Sequence, residues 1–262
     1  MKQHLTYRLL SVIPAVLCGA VLAIVRIPHP ASIAVAITAA AVCAALAVLA
    51  FCVRKQFGSE LAGGSTAVTF ASSIVGLLLL ACFAVSVYSL YFAPPAERIA
   101  VTNTTVVLLA DLFSLLAAVY FLLSALIPSL LANQGARLLW AMTPVLYCAF
   151  RILSDFIATG TMPLANGGGY HILGMISVML FLLCEAKLIA KKGKPFAYLA
   201  CGQIAIVLNA AYNVPLLADF QGATTAELLH GVMFLAFALY IAARLFTLPY
   251  AQPQTEEAIE QA

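Results

Sequence analysis

The sequence predicts an all-α integral membrane protein, a bundle of eight transmembrane helices with its N- and C-termini cytoplasmic. Three observations predict it. Of 262 residues, 64% are hydrophobic and 9% charged, against about 25% charged in an ordinary soluble domain, so polar side chains are too few to cover a water-facing surface. The apolar residues come in runs close to the ~20 that a bilayer-crossing helix needs. Most Lys and Arg residues fall at the ends of those runs, and on one side.

The spans read as 6–25, 31–53, 66–92, 103–127, 136–158, 170–190, 197–217 and 225–247. Turn-forming residues punctuate them: Pro28 and Pro30, Gly63-Gly64, Pro94-Pro95, Pro128 with Gly135, Gly167-Gly168-Gly169, Gly193 with Pro195, and Gly222. The first run reaches Val25, too long for the ~7–15-residue apolar region of a signal peptide, so it reads as an uncleaved span. Leu17 before Cys18 argues against a lipidation site. The third span is over-long and is expected to tilt or to project beyond the bilayer. Pro144 predicts a kink in the fifth. Residues 1–248 form one polytopic domain, and 249–262 a short, acidic, disordered cytoplasmic tail.

Direction follows from the basic residues. With the N-terminus inside, Lys2, Arg8, Arg54, Lys55, Arg137, Lys187, Lys191, Lys192, Lys194 and Arg244 are cytoplasmic, and only Arg26 and Arg98 are outside. An odd number of spans would place Arg54-Lys55 and Lys187–Lys194 on opposite sides. A weak parallel repeat of two four-helix halves is also legible. Ala110-Asp111-Leu112 and Ala226-Glu227-Leu228 stand near the outer ends of the fourth and eighth spans, and a basic loop follows the second span of each half. The Ala-rich composition points to a bacterial inner membrane.

Charge inside lipid costs roughly 3 kcal/mol per residue on insertion scales, so intramembrane ionic residues mark candidate sites. The fourth helix enters from outside and carries Asp111 in its outer half, with Thr104 and Ser114 on the same face. The fifth carries Arg151 and Asp155 in its outer half, four apart and able to pair, with Tyr147 and Cys148 one turn below. The seventh carries Asn209 and Asn213 before Pro215, and the eighth Glu227 and His230, while His171 opens the sixth. The simplest single explanation is an outward-facing polar cavity, with Asp111 pairing with Arg151 across the bundle. In the inner half, Glu185 and Arg244 can form a cytoplasmic gate, with Gln203 on the intervening helix. Plainer readings compete. Arg151–Asp155 can simply lower insertion cost, the asparagines and Ser114 can hold helices together at about 0.6 kcal/mol each, and Glu185 can snorkel to the interface.

Several chemistries are not encoded. Cys18, Cys43, Cys52, Cys82, Cys148, Cys184 and Cys201 form no CxxC pair, and no metal-ligand spacing occurs. No HExxH, GxSxG or P-loop is present, and Gly167–Gly169 reads as a flexible outer loop. His4, His29, His171 and His230 lie near or beyond helix ends, unsuited to haem, and the last helix has no lysine for a retinal Schiff base. Asn103-Thr104-Thr105 fits a glycosylation sequon but abuts a helix. The basic residues form no nucleic-acid patch. No cofactor is expected, and the chain reads as a non-enzyme whose partners are the lipid bilayer, a small polar solute or a proton or cation, and a partner subunit.

The leading expectation is a permease-like protein that binds a small polar or charged solute through Asp111, Arg151, Asp155, Asn209, Asn213, Glu227 and His230. Arg151 would meet an anionic group, Asp111 a cation or proton, and the asparagines would supply neutral hydrogen bonds. The alternative is a membrane sensor or accessory subunit whose polar cluster fixes packing or binds a signal. A third is a lipid-active enzyme using Asp111, Glu227 and His230 as acid–base groups.

Overall fold

A computed structural model describes residues 2–27, 33–58, 61, 65–92, 104–131, 133–159, 168–218 and 224–250. Where lipid offers no hydrogen bonds, a backbone must satisfy its own polar groups, and a helix does so within one segment. The described chain is accordingly helical: α1 (Lys2–Arg26), α2 (Ile33–Val53), α3 (Thr66–Val87), α4 (Thr104–Leu126), α5 (Gln134–Ala141), α6 (Thr143–Thr159), α7 (Gly168–Ile189), α8 (Pro195–Ala218) and α9 (Thr225–Phe246). Eight spans are long and apolar enough to cross a membrane, with α5 and α6 together making the fifth. The protein is a multi-pass helical membrane protein.

Two spans depart from a simple rod. The over-long third span ends in a widened π turn over Tyr88–Phe92. The fifth breaks at Met142, two residues ahead of Pro144. Pro144 has no N–H for the carbonyl of Trp140, and the Thr143 hydroxyl donates to that oxygen instead at 2.8 Å. Gly168 and Gly169, expected in a loop, instead begin α7. The tail after Tyr250, the sequon residue Asn103, Arg98 and several loop prolines and glycines lie outside the described residues.

Helix pairing places α7, α8 and α9 at the centre. α8 packs against α1, α2, α7 and α9; α3 bridges α9 and α4; α6 bridges α4 and α7. The α1–α2 and α3–α4 pairs therefore each rest on the central helices. Buried share follows this pattern, from 61% of the α8 span to 22% of the α2 span. Tight crossings use small residues. A Cβ on Gly19 would lie 3.0 Å from Ala210 Cβ on α8, and one on Gly76 would lie 2.8 Å from Leu122 Cγ on α4.

Contacts between distant segments define two ends of the bundle. At the proximal end Arg8 of α1 lies 5.3 Å from the Tyr250 ring centroid. Tyr250 also stacks on Phe57, just after α2, at 5.6 Å, and Gly58 donates its N–H to the Pro249 carbonyl at 2.8 Å. The start of α5 joins them through Gln134, which donates to Ile189 O at the end of α7 at 2.8 Å. The α7–α8 turn closes there as a Schellman motif, with Lys192 N–H on Lys187 O at 2.9 Å and Lys191 N–H on Leu188 O at 3.0 Å. Lys191 takes the left-handed position, at φ 56°.

Candidate functional site: two polar ends and an aromatic middle

At the distal end α6 turns Arg151 and Asp155 to one side, one turn apart. Arg151 Nε lies 3.2 Å from Asp155 Oδ1. Its N–H is not aimed at that oxygen, so the contact is an ion pair rather than an aligned hydrogen bond. The other carboxylate oxygen, Oδ2, is 3.3 Å from His171 Nε2 at the start of α7. A carboxylate only accepts, so His171 carries its proton on Nε2. The His171 ring packs on Tyr212 of α8 at 4.9 Å, and Arg26 of α1 stands over the opposite part of that assembly, 5.0 Å from the Tyr212 centroid.

A belt thus runs Arg26–Tyr212–His171–Asp155–Arg151 across α1, α8, α7 and α6. Arg151 is the most exposed of the three, its side chain 27% exposed against 19% for Asp155 and 20% for His171. Asp111 extends the belt on α4 within Coulombic range of Arg151. The expected Asp111–Arg151 ion pair is replaced, however, by a hydrogen bond from Ser86 Oγ of α3 to Asp111 Oδ2 at 2.8 Å. A hydroxyl donor on the neighbouring helix satisfies the buried carboxylate without a second charge. Ser114, on the same face, donates to Leu79 O at 3.2 Å and ties α4 to α3. Thr104 is exposed.

The remaining distal residues divide. Asn209 and Asn213 are buried in α8 and hydrogen-bonded to backbone. His230 donates through Nδ1 to Ala226 O in its own helix at 2.7 Å and lies within range of the charges of Arg151, Asp155 and His171. Glu227 is exposed and committed to a capping box: its carboxylate accepts from the Thr224 N–H at 2.8 Å, while Thr224 Oγ1 accepts from the Glu227 N–H. Asp111, Glu227 and His230 share no hydrogen bond or ion pair among the described residues.

At the proximal end Glu185 of α7 meets Arg244 of α9, Oε1 to Nε, at 2.9 Å. Tyr240 donates to the same Oε1 at 2.7 Å and accepts from Arg244 Nε at 2.9 Å. Unlike the distal belt this cluster is sealed, with side chains 3% and 8% exposed, so Glu185 does not snorkel to the interface. Tyr198 is fully buried beside it, and its hydroxyl has no hydrogen-bond partner among the described residues. Gln203 faces the other way, donating to Ser11 O of α1 at 3.1 Å.

Between the ends the bundle is apolar and aromatic. His171 meets Phe234 edge-on at 5.7 Å, Phe234 meets Phe237 at 6.0 Å, Phe237 meets Phe121 at 5.7 Å, and Phe121 meets Tyr240 at 5.1 Å. His230, Phe234, Phe237, Tyr240 and Arg244 recur at three- and four-residue spacing, so one stripe of α9 runs from the belt to the sealed pair.

Sequence reasoning missed Arg26, Ser86, Tyr212, Tyr198 and Tyr240. Only Arg26 left a signal: an arginine at the end of a span can turn back to a carbonyl freed by a proline, here in α8. Among the described residues no three of His, Cys, Asp and Glu are grouped to hold a metal ion, and all seven cysteines are free. Set against protein-family models, curated proteins and solved structures, the chain matches none of them. The fold and the two polar ends define a class, the polytopic α-helical membrane protein with ionic groups buried at both ends.

Proposed function

We propose that the chain is a permease-like protein of a bacterial inner membrane, its proximal end cytoplasmic, that takes a small anionic or zwitterionic solute at the distal belt. The observation that carries this reading is the α9 stripe: a partly exposed ionic belt, an aromatic middle and a sealed ion pair along one helix face. Ionic residues are expensive in lipid and persist where they serve a pathway. Arg151 is the group for a carboxylate or phosphate, because its guanidinium offers donors beyond the single nitrogen facing Asp155. Asp155 neutralises it while His171 positions that carboxylate, and Asp111 stands ready for a positively charged part of the solute. Glu185–Arg244–Tyr240 closes the cytoplasmic end while the distal end is open, and an alternating cycle requires the reverse as well.

Basic residues support the orientation, since Arg8, Arg54, Lys55 and Lys187–Lys194 belong to the proximal end. A second reading, a sensor or accessory subunit, draws on the internal neutralisation of the belt, which a purely structural lock would share. Uptake separates them. Purified protein in liposomes, screened against small carboxylates, phosphates and amino acids, is expected to accumulate one class, with uptake abolished in Arg151→Ala. Ligand-linked stabilisation without uptake of that ligand would favour the sensor, and a fully competent Arg151→Ala would remove the distal site from either account.

A further inference from the structure

Asn209 and Asn213 lie one turn apart on the face of α8 that meets α7 and α9. Their amide nitrogens are committed. Asn209 donates to Ala205 O at 2.8 Å and to Gly174 O of α7 at 3.3 Å. Asn213 donates to Asn209 O at 2.9 Å. These bonds set the orientation of both amides, and both oxygens are therefore turned into the seam between the three helices.

The seam is shaped around those oxygens. A Cβ on Gly174 would stand 3.2 Å from Asn209 Oδ1, and one on Gly231 of α9 would stand 3.5 Å from Asn213 Oδ1. Both flanking positions thus lack a side chain. Asn209 Oδ1 receives only a long contact of 3.5 Å from Asn213 Nδ2. Asn213, 1% exposed, has an Oδ1 that no donor among the described residues reaches. A buried oxygen left this way is destabilising, and in a folded protein it ordinarily has a partner.

We propose that this seam binds an alkali-metal cation of sodium size, with Asn209 Oδ1 and Asn213 Oδ1 as ligands. Hard cations take oxygen donors, and carbonyl-type oxygens suit them. The two ligands are neutral, so a single positive charge fits, whereas a divalent ion would be left without carboxylate compensation. Arg26 donates to Ala211 O, a residue that helical spacing places across α8 from both asparagines. The cation would be the coupling ion of the proposed permease, a role that rests on that reading, although its binding is measurable without transport.

The test is the melting temperature of the purified protein in detergent, titrated with sodium chloride against choline chloride at constant ionic strength. A saturable rise specific to sodium is expected in the parent and in Arg151→Ala, and is expected to vanish in Asn213→Leu. Asn213→Asp adds a charged oxygen at the same position and is expected to lower the half-saturating sodium concentration about tenfold. A melting temperature indifferent to sodium, a sodium shift that survives Asn213→Leu, or an unchanged half-saturation in Asn213→Asp would each overturn the site and leave a bridging water as the donor to these oxygens. A parent protein that accumulates none of the solutes tested yet keeps its sodium shift would instead remove the transport reading alone.

Discussion

Arg26 donates through Nη1 to the carbonyl oxygen of Ala211 at 3.0 Å, the oxygen that Pro215 leaves without a helical donor. A proline inside a helix removes the i→i−4 bond, and within lipid the freed carbonyl must find another partner. The guanidinium of α1 supplies it and holds α1 against α8 one turn before Pro215. Arg26→Met is expected to lower stability by about 1–3 kcal/mol, as a buried acceptor loses its donor. In a Pro215→Ala background, where residue 215 regains its N–H, the cost of Arg26→Met should shrink. Detergent unfolding of the four proteins in that cycle measures the difference, and an undiminished cost would assign Arg26 another role.

The sealed Glu185–Arg244 pair should behave asymmetrically. Arg244→Met alone leaves a buried carboxylate held by Tyr240 only, and a cost of about 3–5 kcal/mol is expected. Glu185→Leu combined with Arg244→Met removes both charges and should recover most of that loss. If the pair is the cytoplasmic closure, the double variant stays folded yet leaks solute from preloaded liposomes. Tight liposomes with normal uptake would reduce the pair to packing.

Gly76 of α3 sits against Leu122 and Ala118 of α4. Alanine there gains about 1 kcal/mol of helix propensity but forces its methyl to 2.8 Å from Leu122 Cγ and 3.2 Å from Ala118 O. Overpacking of this kind costs about 1–3 kcal/mol, so Gly76→Ala is expected to be net destabilising. Adding Leu122→Ala should relieve the clash, with the melting temperature of the pair above that of Gly76→Ala.

Lys191 holds a left-handed backbone position at φ 56° that closes α7. Glycine adopts this conformation without the Cβ penalty, and Lys191→Gly is expected to stabilise by about 0.5 kcal/mol. A small upward shift in melting temperature would show it. A decrease would mean that the lysine side chain contributes more than its backbone costs.

The eight spans were legible because composition and run length leave an apolar chain of this size few alternatives. The sealed pair was legible too: Glu185 and Arg244 carry opposite charge at the same depth, each near the C-terminal end of a helix, on two spans that run in the same direction. Glu227 shows the opposite case. Thr224 three residues before it spells a capping box, yet an acidic residue near a span end reads equally well as a site. Asp111 lost its expected partner because Ser86, a weak sequence signal in an apolar run, lay closer. Arg26 counts as a solvated span-end charge in the sequence, yet it is buried against α8, because a tally of positive charges does not see packing. What escaped throughout was the pairing of helices, which decides the neighbours of each polar group and is not written in hydropathy.

The clasp between Phe57 and Tyr250 has a practical bearing on how the chain can be engineered. α2 is the least enclosed helix, and the aromatic stack with the Gly58–Pro249 bond ties its end to the end of α9. Affinity handles or fluorescent fusions attached beyond residue 250 would leave this latch alone. Trimming back to Thr247 would unfasten it and free the outermost helix to swing away in micelles.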